Sequence, residues 1–377
     1  MRFRQGESEQ VQDAGAEDYV PAPGVLTVSI RDFRCIEAAE LALHPDCTVV
    51  CGANASGKTS FLEALFFLGR GRSFRAGQSG ELIRHGQRAF TVSSAVGQAA
   101  PGTRVGVSYA RDGFRVRIAG EDRNRLADLA AWVPVSVIDP EVHALVEGAP
   151  DQRRRFLDWG VFHVEHDFAD LWRRYQRALR QRNAALRTAA GAREVAAWNE
   201  PVAALGERLG AARERYLDSA GPALAALATD LLGTAVTLRY QRGWARDKTL
   251  LECLEDAAER DLDQVSTQSG PHRADMVIEV ASRGARRQVS RGQQKLLASA
   301  LVLGQIGHLA ARTAQRPLLL LDDPSAELDA DAQARLLTAA NALPVQRVVT
   351  ALDRRVARQG AAQSVFHVEQ GRFAPVL

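Results

Sequence analysis

The stretch Gly52-Ala53-Asn54-Ala55-Ser56-Gly57-Lys58-Thr59 limits what this chain can fold into more than any other segment. It matches GxxxxGK[ST], a loop that carries the chain from a strand around an anion and into a helix. Gly52 and Gly57 allow the tight turns, and successive backbone N–H groups from Gly52 to Ser60 can then converge on phosphate oxygens. Lys58 suits the outer phosphates of a nucleotide, and the Thr59 hydroxyl suits Mg²⁺. The flanks agree with this reading. Thr48-Val-Val-Cys51 is a short apolar strand, and Phe61, Leu62, Leu65 and Leu68 follow at helical core spacing. The start of that helix adds its dipole to the attraction for an anion.

A second motif lies far away in the sequence. Leu318–Leu321 is an apolar run that ends on Asp322 and Asp323. Carboxylates at the C-terminal end of a buried strand stand where doubly wound sheets bind ligands. Asp322 is the expected Mg²⁺ ligand, and Asp323 is the expected residue that polarises water. Because Asp322 stands 264 positions after Lys58, a sizeable lobe must be inserted between the two halves of the site. Upstream of the acidic pair, Ser290-Arg291-Gly292-Gln293 opens a long helix. It has the Ser-x-Gly-Gln core of an ABC signature, and it is also a capping box, Ser290 with Gln293. The two readings coexist, because a capped helix start is what binds an anion. Ser325 and Asp329 fit a D-loop, and Thr350, at the end of a later strand, is a candidate switch residue near the γ-phosphate.

Charge composition gives less direction. A net charge of +3 permits nucleic-acid binding without arguing for it. The chain has only three lysines, and two of them, Lys58 and Lys295, fall inside motifs. Arg173, Arg177, Arg180 and Arg187 recur on one face of an expected helix, and Arg153, Arg154 and Arg155 begin the same lobe. These seven are the candidate DNA contacts; they would meet phosphates and read no sequence. Cys35, Cys47, Cys51 and Cys253 form no CxxC pair and read as reduced thiols. No run is apolar enough to span a bilayer, and no signal peptide is visible, so a cytoplasmic protein without a membrane partner is expected.

The expected fold class is α/β, an ABC-type P-loop ATPase head of SMC-like kind with an inserted, mostly helical lobe. Residues 1–24 read as a disordered tail. Residues 25–130 form the first half of the head, with strands near 26–30, 39–43, 48–51, 91–96, 104–109 and 114–118. Residues 131–262 form the helical lobe, with breaks at Gly191, Pro201 and Gly221-Pro222. Residues 263–377 complete the head with the signature, the acidic strand and closing strands near 347–350 and 365–368.

Together these residues resemble the RecF family, bacterial recombination and repair ATPases related to SMC proteins. The resemblance extends to Phe33-Arg34, Gly71-Arg-Ser-Phe-Arg75, Asp139-Pro-Glu141 and Gln152–Asp158. It continues through Ser269-Gly-Pro-His-Arg273 with Asp275, Ser290–Leu296, and Glu327-Leu-Asp329. Ala55 stands where the family usually has glycine, and Pro324-Ser325 replaces a small apolar pair. The resemblance implies ATP and Mg²⁺ as cofactors and a homodimer formed on ATP. It also implies binding to single-stranded or gapped DNA, and RecR, RecO and RecA as partners. Two rival readings are the ATPase subunit of a transporter, which the long gap disfavours, and a dimerisation module that binds ATP without hydrolysing it.

Overall fold

The computed structural model describes residues 24–98, 100–123, 125–188, 192–324, 327–353 and 362–376. Of the expected 1–24 tail, residues 1–23 lie outside the described residues, as do Ser325 and the expected break at Gly191; Gly24 already belongs to a strand. The first half runs β1 (Gly24–Phe33), β2 (Ile36–Ala42), β3 (Cys47–Cys51), α1 (Lys58–Arg70), β4 (Ala89–Gly97), β5 (Thr103–Ala110), β6 (Gly113–Ile118), β7 (Glu121–Arg123), α2 (Leu126–Trp132) and β8 (Val135–Ile138). The middle runs α3 (Ala144–Glu147), α4 (Pro150–Val164), α5 (Phe168–Arg187), α6 (Ala192–Ala196), α7 (Asn199–Leu232), β9 (Val236–Gln241), α8 (Leu250–Asp256), α9 (Ala258–Asp263), β10 (Asp275–Val280) and β11 (Arg283–Gly284). The chain closes with α10 (Ala285–Gln288), α11 (Arg291–Ala310), β12 (Leu318–Leu321), α12 (Ala330–Asn341), β13 (Gln346–Ala351), β14 (Ser364–Glu369) and β15 (Arg372–Pro375).

Three sheets result. An antiparallel sheet has the order β2-β1-β4-β5-β6-β7, and a small one has the order β11-β10-β9. The third, β15-β14-β3-β13-β12-β8, is parallel from β14 to β8 and holds the site. A parallel sheet is covered on both faces, so its strands are apolar throughout. Every residue of β3, β12 and β13 is buried. Alternate residues enter two different cores. Val50, Leu318, Leu320, Val348 and Val135 face the core built on α1 and the antiparallel sheet. Val49, Leu319, Leu321, Val349 and Ile138 face the core built on α7, α11 and α12. The period of two therefore decides where the residue after each strand points.

Two expectations need correction. The lobe does not begin at 131, because Val135–Ile138 is a strand of the parallel sheet, paired with β12 from Val135↔Leu318 to Ile138↔Leu321. Nor does it end at 262, because β9 pairs with β10 across that boundary. The expected breaks at Pro201 and Gly221-Pro222 are also absent: α7 runs unbroken through both. Pro201 lies in the first turn, where its missing N–H costs nothing. Pro222 is interior, but Ala220 and Leu224 beside it are fully buried, so packing carries the helix past the lost bond. Gly304 of α11 allows the approach of α7, since a Cβ there would meet the Leu224 Cα at 3.0 Å.

Side-chain polar contacts tie the middle segment together. Arg182, fully buried, donates to Asp261 at 2.7 Å, to Asn199 at 2.8 Å and to Thr267 at 2.8 Å. His272 Nδ1 accepts from the Tyr175 hydroxyl at 2.7 Å, while Nε2 donates to Thr267 O at 2.9 Å. Burial lowers its pKa to about 4.

Arg182→Met should destabilise the protein by about 3–5 kcal/mol, because Asp261 stays buried without its cation. Urea unfolding checks this, and adding Asp261→Leu should recover part of the loss. His272 gives a pH signature. Its folded pKa lies below the ordinary histidine value, so the unfolded chain takes up the proton first. Stability should therefore fall as pH drops from about 6.5 towards 4, and thermal melting across that window reads it; His272→Asn should flatten the slope.

Candidate nucleotide site

The site gathers at the C-terminal ends of four parallel strands. Beyond β3 the loop passes under β14: a Cβ on Gly52 would sit 2.3 Å from the Val368 carbonyl, so only glycine fits. Gly57 has φ of 115°, and Ala55 takes φ of 60°, a left-handed conformation that costs an alanine about 1 kcal/mol. No side chain caps the start of α1, and no acidic residue occupies its first turn. Those N–H groups and the positive helix end suit a phosphate. Lys58, 8% exposed, donates from Nζ to the carbonyls of Gly52 at 2.7 Å and Ala53 at 2.8 Å. Burial lowers its pKa, opposed by the charges of Asp323 and Asp322.

Asp322 continues the row of Leu318 and Leu320 and so falls on the α1 side of the sheet. Its Oδ1 accepts from the Thr350 hydroxyl at 2.7 Å and from the Thr59 hydroxyl at 3.1 Å. This joins the two motifs that stand 263 positions apart. Thr350, fully buried, also accepts from the Asp323 N–H at 3.0 Å, so one hydroxyl fixes both acidic residues. Asp323 turns out of the strand with φ of 44°. Burial raises the Asp322 pKa, and the two threonine hydroxyls oppose that by bonding to the ionised form.

Two groups here are named in the sequence motifs but carry no task there. Asp139 follows β8, next to Asp322 across the register, and its carboxyl is pushed up to about 6 by burial and then by the charge of Asp322. In the sequence it stands out only as part of Asp139-Pro-Glu141, because Val135–Ile138 reads there as the start of the helical lobe and not as a strand of the site. Lys295, 1% exposed in α11, was placed in a motif but given no task. Burial lowers it, while Glu327, Asp323, Asp139 and Asp322 hold it up. The oxygen pair of Thr59 and Asp322 fits Mg²⁺, a hard cation that takes one or two protein oxygens and completes its shell with phosphate and water. Among the described residues no group of three or more His, Cys, Asp or Glu could cage a metal by itself.

The other motif residues stand apart. Ser290 caps α11: its Oγ accepts from Gln293 N at 3.3 Å, and its own N–H donates to Gln293 Oε1 at 3.0 Å. Ser290, Arg291 and Gln293 are exposed and Gly292 is half-buried. Arg291 lies 3.6 Å from Glu327. Among the described residues no hydrogen bond or ion pair links 290–293 to the phosphate loop. Asp329 caps α12, accepting from Ala332 N at 2.7 Å.

The candidate DNA contacts divide. Arg153 is buried and bonds Asp275 through two nitrogens, at 2.7 and 3.0 Å, and carbonyls of Leu145, Val146 and Gly148. Arg154 donates to Ala274 O at 2.8 Å. Both fasten α4 to β10 and its approach, so neither is a free contact for DNA, against expectation. Arg155 is exposed beside Asp151 at 3.1 Å. Arg173, Arg177, Arg180 and Arg187 are exposed along α5, as their spacing predicts.

The sheet, the strand-end motifs and the helical lobe define a P-loop ATPase head of ABC and SMC type. The family profile described as RecF/RecN/SMC N terminal domain matches residues 25–373, so the chain belongs to that family. It is similar to DNA replication and repair protein RecF of Edwardsiella ictaluri, 39% identical over 92% of this chain and 98% of the relative. RecF of Stutzerimonas stutzeri is likewise 39% identical, over 92% and 96%. In fold it is similar to a recombination mediator RecF with ATP, TM-score 0.87 at 22% identity, over 96% of this chain and all of that one. An SMC head bound to the C-terminal winged-helix domain of ScpA gives 0.58 at 13% identity, over 94% and 97%. Among the described residues no helix is long and apolar enough to cross a membrane.

Thr350→Val keeps the shape but leaves the Asp322 carboxylate and the Asp323 N–H short of a partner. A loss of about 1–3 kcal/mol in stability is expected, with weaker Mg-nucleotide binding. Thr350→Ser should restore both, and paired melting and fluorescent-nucleotide titrations measure them.

Proposed function

We propose that this chain is an ATP-driven DNA-binding protein of recombinational repair and replication, closing as a homodimer over two nucleotides. One observation carries the reading. The phosphate loop and the acidic strand meet through Thr59 and Asp322, whereas the capped start of α11 lies exposed and unconnected to them. A second copy would bring Ser290, Arg291, Gly292 and Gln293 to the γ-phosphate, and the symmetric contact would form twice. Residues Gly52–Ser60 would wrap the phosphates, Lys58 would neutralise them, and Thr59 and Asp322 would hold Mg²⁺. The metal would supply further neutralisation of phosphate charge. Asp323 would accept a hydrogen bond from the attacking water, in the positioning chemistry general to such sites. Thr350 would keep the two carboxylates in register. Aspartate is shorter than the glutamate usual there in ABC ATPases, so turnover should be slow.

The exposed arginines of α5, with Arg155, supply a sequence-independent surface for single-stranded or gapped DNA. Relatives carrying the RecF name support the repair setting, with RecR, RecO and RecA as the proposed partners and the cytoplasm as the location. The lobe between β8 and α10 is read as an insertion in the head, and Ser325 and Asp329 as part of the dimer contact.

Ser290→Arg tests the composite site. It should leave ATP binding to the monomer near normal, abolish the ATP-dependent dimer and remove most hydrolysis. Light scattering with and without ATP decides it: a normal dimer would reduce Ser290 to a helix cap. Asp323→Asn should instead retain ATP and prolong the dimer, and hydrolysis at the wild-type rate would remove Asp323 from the water-activating role.

A further inference from the structure

Two arginines at the end of α1 carry charge that no carboxylate among the described residues pairs with. Arg70 makes no ion pair; its guanidinium lies 4.9 Å from the Trp159 ring centre and 5.5 Å from that of Phe66, and its Nε is buried without a hydrogen-bond partner. Burial, and then the neighbouring charge of Arg72, takes Arg70 well below an ordinary arginine. Arg72, though its residue is exposed, is lowered by partial burial of its guanidinium and then by the charge of Arg155, and no carboxylate among the described residues offsets it. An uncompensated guanidinium in a partly desolvated place is costly unless an anion completes it.

These arginines line a cleft of about 480 Å³ whose other walls include Trp159, Phe162, Phe168 and Trp172. Trp172 is 39% exposed, one of few large apolar side chains left in solvent. The single carboxylate of the lining, Asp158, is already taken by Arg213 at 2.7 and 3.0 Å. The cleft is thus aromatic inside and positive at its edge. It also has a continuation. Arg173 lines it, and Arg177, Arg180 and Arg187 extend from it along one exposed face of α5, over about 20 Å at the rise of a helix.

We propose that this cleft stacks a base of single-stranded nucleic acid against Trp172, with the adjoining phosphate held by Arg70 and Arg72 and the backbone continuing along the α5 arginines. Stacking sites joined to a positive track are how single strands are held without regard to sequence. An acidic peptide with an aromatic residue would satisfy the cleft alone, but it would leave the row of arginines beyond it unused. The inference rests on the DNA-binding reading above and adds where, and by what chemistry, an unpaired base is taken.

The test uses the full chain and an oligothymidylate of about 20 nucleotides, long enough to cover cleft and track. Fluorescence anisotropy should give an affinity that Trp172→Ala lowers about tenfold, the worth of one stacked base, with an unchanged salt slope. Trp172→Phe should keep most of the affinity. Arg72→Ala should lessen the slope by about 0.7, as expected for one lost phosphate contact on a single strand. ATP titration checks that each variant is folded. In the wild-type protein, 5-iodouracil in the oligonucleotide should photocrosslink to the peptide holding Trp159–Arg173. If the wild type fails to bind the oligonucleotide, the DNA reading itself falls. If it binds, but Trp172→Ala binds equally well and crosslinks map only elsewhere, the stacking site is wrong and the DNA reading stands. Binding of an acidic tryptophan-containing peptide that Trp172→Ala abolishes, with no crosslink of the oligonucleotide there, would overturn the proposal in favour of a protein partner.

Discussion

Crowding of negative charge at one edge of the parallel sheet governs this molecule. Asp139, Asp322 and Asp323 emerge from neighbouring strands, and Glu327 follows close behind in the chain. Left alone, such a group would repel itself and hold on to its protons, so the carboxyls would stay neutral. Asp139 shows the result: burial, and then the charge of Asp322, push its carboxyl up to about 6. What keeps the cluster ionisable is supplied from elsewhere: two threonine hydroxyls on Asp322, Lys58 from the start of α1 and Lys295 from α11. The scarcity of lysine gains a physical meaning here, since two of the three are the buried cations facing these acids.

The same arrangement binds the two halves of the sequence. A residue near position 58 and a residue near 322 share one hydrogen-bonded group, and Gln346 does similar service at the other end of the strands. Its amide pairs with both the N–H and the carbonyl of Val25, at 2.8 and 2.7 Å. Lys295 adds a further link. It stands one turn beyond the exposed cap of α11, so a helix whose start faces outward has its next turn buried against the acids of its own site. Any displacement of α11 that docks the cap would also move an ammonium relative to four carboxylates, and electrostatic energies in a poorly solvated place respond steeply to such shifts.

Much of this was legible in the residues. The phosphate loop, the acidic pair and the capped helix were found because each is local: a spacing of glycines, an apolar run with carboxylates, a Ser three positions before a Gln. Even the side of the sheet on which Asp322 falls follows from the alternation of Leu318 and Leu320. What escaped was decided by tertiary context. Val135–Ile138 is four residues long beside a helix-rich stretch, and only its pairing with β12 makes it a strand; without that strand the place of Asp139 beside Asp322 cannot be read. Pro222 reads as a breaker by any local rule, and its surroundings overrule that. Thr350 was legible as a strand-end residue, but its bond to both aspartates was not.

Arginine was the hardest residue to read, for a reason that generalises within this chain. Spacing tells which arginines share a helix face, yet it says nothing of what a distant segment brings to meet them. Arg153 and Arg213 each find an aspartate through two nitrogens, Asp275 and Asp158. Arg182 finds Asp261 in the dry interior. Those guanidiniums are structural: Arg153 and Arg213 also spend Nη1 on main-chain carbonyls, and Arg182 bonds Asn199 and Thr267 besides its aspartate. Arg173, Arg177, Arg180 and Arg187 of α5 are different in kind: they are exposed on one face and, among the described residues, answered at most by Asp170 beside Arg173, 3.4 Å away on the same helix. Arg70 and Arg72 are different again: among the described residues no carboxylate pairs with either, and Arg70, half-buried, lies against two aromatic rings. In an arginine-rich chain the useful distinction is therefore the supply of counter-charge, and position in the sequence cannot reveal that supply until the fold has brought the acids into place.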